Sequence, residues 1–165
     1  MRFAMGIDYD GGNYRGWQTQ QEGVPSVQLT VEQALSQIAN HPIDVHAAGR
    51  TDAGVHASGM IVHFDTDAIR GHRNWLLGAN RLLPNDIAVR WIHPVSDDFH
   101  ARFKAVARRY RFVIFNSPLR SSMLAGKVTW HYHHLDVERM KLAAQYLVGV
   151  HDFTSFRAVG CQARN

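Results

Sequence analysis

Cysteine is almost missing from this chain: Cys161 is the single one in 165 residues. No internal disulfide can form and a cysteine-based metal site is excluded, which sets the expectation of a reducing compartment. No apolar run approaches the ~20 residues of a membrane span. The N-terminal Met1-Arg2-Phe3-Ala4-Met5 passes straight into alternation, without the apolar stretch of a signal peptide. Together these set the expectation of a cytoplasmic protein with no membrane partner. A phosphate loop of the G-x-x-x-x-G-K type is missing. So is the H-x-E and P-C-x-x-C pair of zinc deaminases, which argues against deamination of a nucleobase. There are no repeats, low-complexity tracts or flexible linkers. What is present is a globular composition, 45% hydrophobic and 19% charged, outside the range of disordered chains.

The charge is unevenly distributed. The net value is +4, yet residues 1–49 hold two basic and five acidic residues. Residues 50–120 hold eleven basic and six acidic ones, and ten of those eleven are arginines. The densest stretch, His100–Arg111, carries Arg102, Lys104, Arg108, Arg109 and Arg111 and no acid. Arginine forks suit phosphates and stack on bases, so a polyanion partner is expected. A solvated strand face would show the same charge pattern.

Phe3, Met5, Ile7 and Tyr9 alternate, predicting a strand over 2–9. Asp10-Gly11-Gly12-Asn13 is turn chemistry. Ser26 caps a helix with the stripe Val27, Val31, Ala34, Leu35 and Ile38, stopped at Asn40-His41-Pro42. Ile43–Ala48 reads as a second strand, and Met60, Val62 and Phe64 mark a third. Trp75, Leu76, Ala79 and Leu82 predict a second helix ended by Pro84, and Ile87, Val89, Trp91 and His93 a fourth strand. The resulting β-α-β-β-α-β order is the split βαβ of ferredoxin-like, RRM-like α+β domains with an antiparallel sheet. This unit is expected over residues 1–98. A second, incomplete α+β unit of similar type is expected over 99–165. It opens with a long strand at Lys104–Asn116, another at Lys127–Tyr132, and a helix capped by Asp136 and ended by Gly149.

One loop carries chemistry. Gly49-Arg50-Thr51-Asp52-Ala53-Gly54-Val55-His56-Ala57 joins two apolar strands. Its glycines permit sharp turns. Arg50 beside Asp52 favours an ionised carboxylate, which serves as nucleophile or base; an Asx-turn with a neighbouring arginine gives the same pattern. Tyr110 is placed mid-strand with Arg108 on its face, a pattern more common in packing than in catalysis. His131 and His133 share a strand face, but no carboxylate or cysteine completes a four-ligand set, so no metal is expected.

The nine-residue loop resembles the signature of the tRNA pseudouridine synthase A family. Tyr9-Asp10-Gly11 with Tyr14, Gly16, Trp17 and Gln18 resembles the family's first strand and turn. Phe99–Phe103 through Arg108–Phe112 resembles its second motif. Gly149, His151-Asp152-Phe153 and Ser155-Phe156-Arg157 resemble its third. The similarity covers essentially the whole chain. It implies an enzyme, a tRNA pseudouridine synthase, that isomerises uridines at positions 38–40 of the tRNA anticodon stem-loop without a cofactor, and a homodimer. It implies Asp52 as nucleophile, Tyr110 in the uracil pocket as an acid or base, and Arg50 displacing the target base. Arg102, Lys104 and Arg108 are expected to bind substrate with Tyr110. Phe112 stands where relatives often have tyrosine. Family members run on for roughly a further domain's length, so these 165 residues alone are expected to turn over poorly.

Two other classes compete. Arg108, Tyr110, Phe112, Val113 and Phe115 fit part of the RNA-recognition-motif consensus, which would make a non-catalytic RNA-binding module. Arg109 and Arg111 break that pattern, and it leaves the 49–57 loop unexplained. A carboxylate glycosidase needs a second carboxylate, and the sequence offers no evident partner for Asp52.

Overall fold

A computed structural model describes residues 1–157; Cys161 lies outside them. The chain divides into two compact units, Met1–Arg111 and a second from Phe112 onward.

In the first unit, β1 (Arg2–Tyr9), α1 (Val27–Ala39), β2 (His46–Ala47), β3 (Ala57–Asp65), α2 (His72–Leu82) and β4 (Ile87–Val95) follow one another. The sheet order is β2-β3-β1-β4. The registered pairs are all antiparallel, so the split βαβ arrangement is realised. Alternation decides which face meets the helices. Phe3, Met5, Ile7 and Tyr9 of β1 and Val62 and Phe64 of β3 turn inward against Val31 and Leu35 of α1 and Trp75 of α2; all are buried. Phe64 and Trp75 meet edge-on with ring centroids 5.3 Å apart, a favoured aromatic geometry.

Helix α1 starts as the sequence suggests. Ser26 accepts from the Leu29 amide, satisfying one orphan donor of the first turn. Asn40 ends α1 in the left-handed region at φ 61°, which asparagine tolerates. Asn80 of α2 both donates to and accepts from the backbone of Val89, fixing α2 to β4.

Ile43–Ala48 is shorter as a strand than expected, since only His46–Ala47 pairs with β3. Side chains of α1 take the preceding amides instead. Ser36 Oγ accepts from Ile43 N at 2.9 Å and Glu32 Oε1 from Val45 N at 2.9 Å. Backbone donors satisfied by a helix have no need of a strand partner.

The outer sheet face carries His63, buried, stacked on His46 at 5.0 Å and edge-on to His100 at 4.6 Å. Its Nδ1 accepts from the Ala101 amide at 3.2 Å. Burial, then the neighbouring His100, His46 and Arg2 charges, pushes its pKa down to about 4. The unfolded chain, with an ordinary histidine near 6.5, therefore binds more protons between these values. Stability is expected to be full above pH ~6.5 and to fall progressively towards pH 4. Thermal unfolding of the wild type should show that slope and His63→Gln should flatten it; equal slopes would contradict the assignment.

The second unit holds a short parallel pair, β5 (Ile114–Asn116) with β6 (Thr129–His131), and α3 (Val137–Gln145). Asp136 caps α3 by accepting from Arg139 N. The helix ends at Gln145, with Tyr146 as its cap residue; Gly149, at φ 119°, lies beyond it and does not end it. The long strand expected over Lys104–Asn116 is confined to its last three residues. Residues 105–113 have no ladder partner among the described residues, and their arginines keep the segment in water. The recognition-motif consensus over Arg108–Phe115 therefore lies mainly on irregular backbone rather than on a strand.

Candidate active site

The loop between β2 and β3 is held by the turn that follows β1. Tyr9 ends β1 with its phenol facing Thr51, Oη to Oγ1 2.8 Å. Burial pushes the Tyr9 phenol up, and nearby Tyr110 adds to the shift. Past Tyr9 the chain enters a 3-10 turn, Gly11–Asn13, capped by Asp10. Trp17 N donates to Thr51 O at 2.9 Å, and Gly54 N donates to Tyr14 O at 3.2 Å. Gly11 N donates to His56 Nδ1 at 3.1 Å, and the same ring atom lies 2.8 Å from Asp10 Oδ1. The loop is thus bonded at Thr51, Gly54 and His56 to a single turn.

Two glycines make that approach possible. A Cβ on Gly11 would fall 2.1 Å from Val55 O, and one on Gly16, at φ 100°, 2.7 Å from Thr51 O. Beneath the turn, Trp17 is buried against Tyr9 with ring centroids 6.1 Å apart. Tyr14 donates from its hydroxyl to Asp86 Oδ1 at 2.7 Å, and Asp10 N donates to Asp86 O. Asp86, just before β4, thereby anchors the turn on the far edge of the sheet. Burial first, then the Asp86 bond, pushes the Tyr14 phenol up.

Asp52 stands on the exposed crest of the loop, where its backbone carbonyl accepts from Val55 N. Arg50 is also exposed. Among the described residues the two form no ion pair, so the expected charge partnership is absent. Exposed pairs gain little and restrict two side chains, and here both side chains remain open to solvent.

Tyr110 is exposed and sits on irregular backbone rather than mid-strand. Its hydroxyl comes within 3.7 Å of the point where a Gly49 Cβ would stand, three residues before Asp52. The three basic candidates are engaged within the unit. Arg102 lies over the Phe103 ring at 5.7 Å. Lys104 Nζ pairs with Asp98 at 3.0 Å. Arg108 donates to Ala48 O at 2.9 Å from Nε and 2.7 Å from Nη2. His131 and His133 are ring neighbours at 6.1 Å. No set of three or more His, Cys, Asp or Glu side chains able to hold a metal occurs among the described residues. No helix there is long and apolar enough to cross a membrane.

Sequence reasoning found the loop and missed what holds it. The Tyr9–Thr51 and Asp10–His56 contacts span more than forty residues and leave no periodicity. The available signal was Asp10-Gly11-Gly12, of which Gly11 is required by close backbone approach to Val55.

This arrangement offers a carboxylate exposed on a loop whose backbone is fixed from one side, with a phenol and a guanidinium close by in the chain or in space. The family model described as tRNA pseudouridine synthase matches residues 5–104, taking in the turn and the loop. The chain is 60% identical over 163 residues to tRNA pseudouridine synthase A of Shewanella amazonensis, covering 99% of this chain and 62% of the relative. It is 60% identical over 163 residues to the Salmonella arizonae protein of that name, covering 99% and 60%. The Alcanivorax borkumensis protein is 56% identical over 164 residues, covering 99% and 61%. The chain thus spans about three fifths of the length of these curated relatives. With the matched region holding both the turn and the loop that it cages, the chain belongs to the tRNA pseudouridine synthase family.

Proposed function

We propose that these residues form part of an enzyme that converts uridine to pseudouridine in tRNA, at positions 38–40 of the anticodon stem-loop. The observation carrying this reading is the exposed Asp52 carboxylate on a loop bonded at three residues to one turn. The reaction breaks the N1–C1′ bond of uridine and joins C5 to C1′, so no atom is gained or lost. It requires a carboxylate that attacks the nucleoside or removes a sugar proton, and Asp52 takes that part. A solvated, unpaired carboxylate is open to a nucleoside arriving from solution, unlike one locked in an ion pair.

Tyr110 lines the uracil pocket and moves a proton at its hydroxyl. Arg50 takes the place of the target base when it leaves its stack, offsetting an unstacking cost of a few kcal/mol. The reading brings with it the family's homodimer and cytoplasmic location. The phosphate backbone is met by Arg109 and Arg111 of the basic stretch, which make no hydrogen bond or ion pair among the described residues. A non-catalytic RNA module has less support, because its consensus falls mainly on irregular backbone.

The test is incubation of the full natural protein with unmodified tRNA, followed by nucleoside mass spectrometry. Pseudouridine should appear at the anticodon stem, and a product-free digest would refute the reading. Within it, Tyr110→Phe should slow turnover by about 10²–10⁴-fold, the range of one proton-transferring group. The fold should persist, since Tyr110 is exposed and its ring remains. A wild-type rate would remove Tyr110 from the chemistry.

A further inference from the structure

Residues 105–111 carry Tyr110 on backbone that no ladder holds. Among the described residues this segment makes three hydrogen bonds to the rest of its unit, all from one side chain. Arg108 donates twice to Ala48 O and once, at 3.2 Å, to Arg102 O. Ala48 is the last residue before the loop, and its own amide donates to Ile61 O of β3. The guanidinium therefore links the Tyr110 segment to a carbonyl that the sheet already fixes. Gly49 completes the geometry, since Arg108 Nε and Tyr110 Oη lie 3.4 and 3.7 Å from where its Cβ would be.

We infer that Arg108 is a positioning residue, which sets Tyr110 against the Asp52 loop by gripping Ala48 O, and is not a phosphate ligand. The inference rests on the proposed reading of Asp52 and Tyr110. Two of the guanidinium's nitrogens converge on one acceptor, and one of those reaches a second carbonyl. An ammonium has neither the plane nor the fork for this. Without the grip the segment is joined to the loop only through the chain. A ~1 Å displacement of a reacting group can slow chemistry by ~10²-fold.

The test compares wild type, Arg108→Ala and Arg108→Lys in the full natural protein with three readouts. The first is tryptic cleavage after Arg109 and Arg111, followed by mass spectrometry; it should be several-fold faster in Arg108→Ala. This readout needs no activity, so it decides the tether even if the protein forms no pseudouridine. The second is the single-turnover rate on tRNA, which should fall about 100-fold in Arg108→Ala and recover in part with Lys. The third is the slope of log affinity against log salt, which should stay unchanged. A phosphate ligand would instead lose about one unit of slope with little loss of rate. Unchanged cleavage overturns the tether. Faster cleavage at an unchanged rate overturns the positioning role. A reduced slope shows a phosphate contact and overturns the inference.

Discussion

Asp52→Asn is expected to reduce pseudouridine formation by about 10²–10⁴-fold, while tRNA affinity stays within about twofold. The substitution keeps size and replaces a charged oxygen by an amide. Asp52 is exposed, and its side chain makes no hydrogen bond or ion pair among the described residues, so no fold contact is lost. Surface changes of this kind alter stability by no more than about 0.5 kcal/mol. The Val55 N bond goes to the Asp52 backbone carbonyl and survives. A loss of rate with stability and binding intact would therefore report on the carboxylate itself. Turnover near the wild-type rate would remove Asp52 from the chemistry, whatever the family of the chain.

The second large effect is expected at a residue without a side chain. Gly11→Ala would place a Cβ 2.1 Å from Val55 O and 2.6 Å from Val55 C. Both are backbone atoms, so no rotamer change relieves the clash, and the turn must move away from the loop. Overpacking of this kind costs typically about 1–3 kcal/mol, and the displacement disturbs the crest that carries Asp52. Thermal unfolding should register the first effect and single-turnover kinetics the second. Gly12→Ala is the control. There the nearest atom to a Cβ is Asp10 Oδ1 at 3.2 Å, the end of a side chain that can shift. Equal behaviour of the two variants would show that the turn does not hold the loop.

These effects mark where the sequence could and could not be read. β1, α1, β3, α2 and β4 were legible because each writes its burial into a period of two or 3.6, as Phe3, Met5, Ile7 and Tyr9 do. β2 was over-read because Ile43 and Val45 are buried like strand residues, while Ser36 and Glu32 take their amides. The segment 104–116 was over-read for a related reason. Alternating apolar and basic residues suit a strand, but a strand also needs a neighbour. At the site, the 49–57 loop stood out through its glycines and charges. Its cage did not, because Tyr9, Asp10, Gly11 and Trp17 reach it only after the sheet forms. Arg108 is expected to meet substrate because it shares a strand face with Tyr110; the structure has no strand there and shows Arg108 donating to Ala48 O.

The position of β1 inside the sheet has a kinetic consequence. Arg2 pairs with Asp65 on one side and Val95 on the other. During synthesis at ~5–20 residues per second, β1 waits on the order of 5–20 s for both neighbours to emerge. Over that interval Phe3, Met5 and Ile7 have no sheet to enter, and the strand is a target for chaperones or for pairing with other nascent chains. Closure then depends on contacts between residues about fifty to ninety positions apart, the class of topology that folds slowly. The loop bearing Asp52 lies between β1 and its first partner, so it takes its caged form only when that late closure is complete.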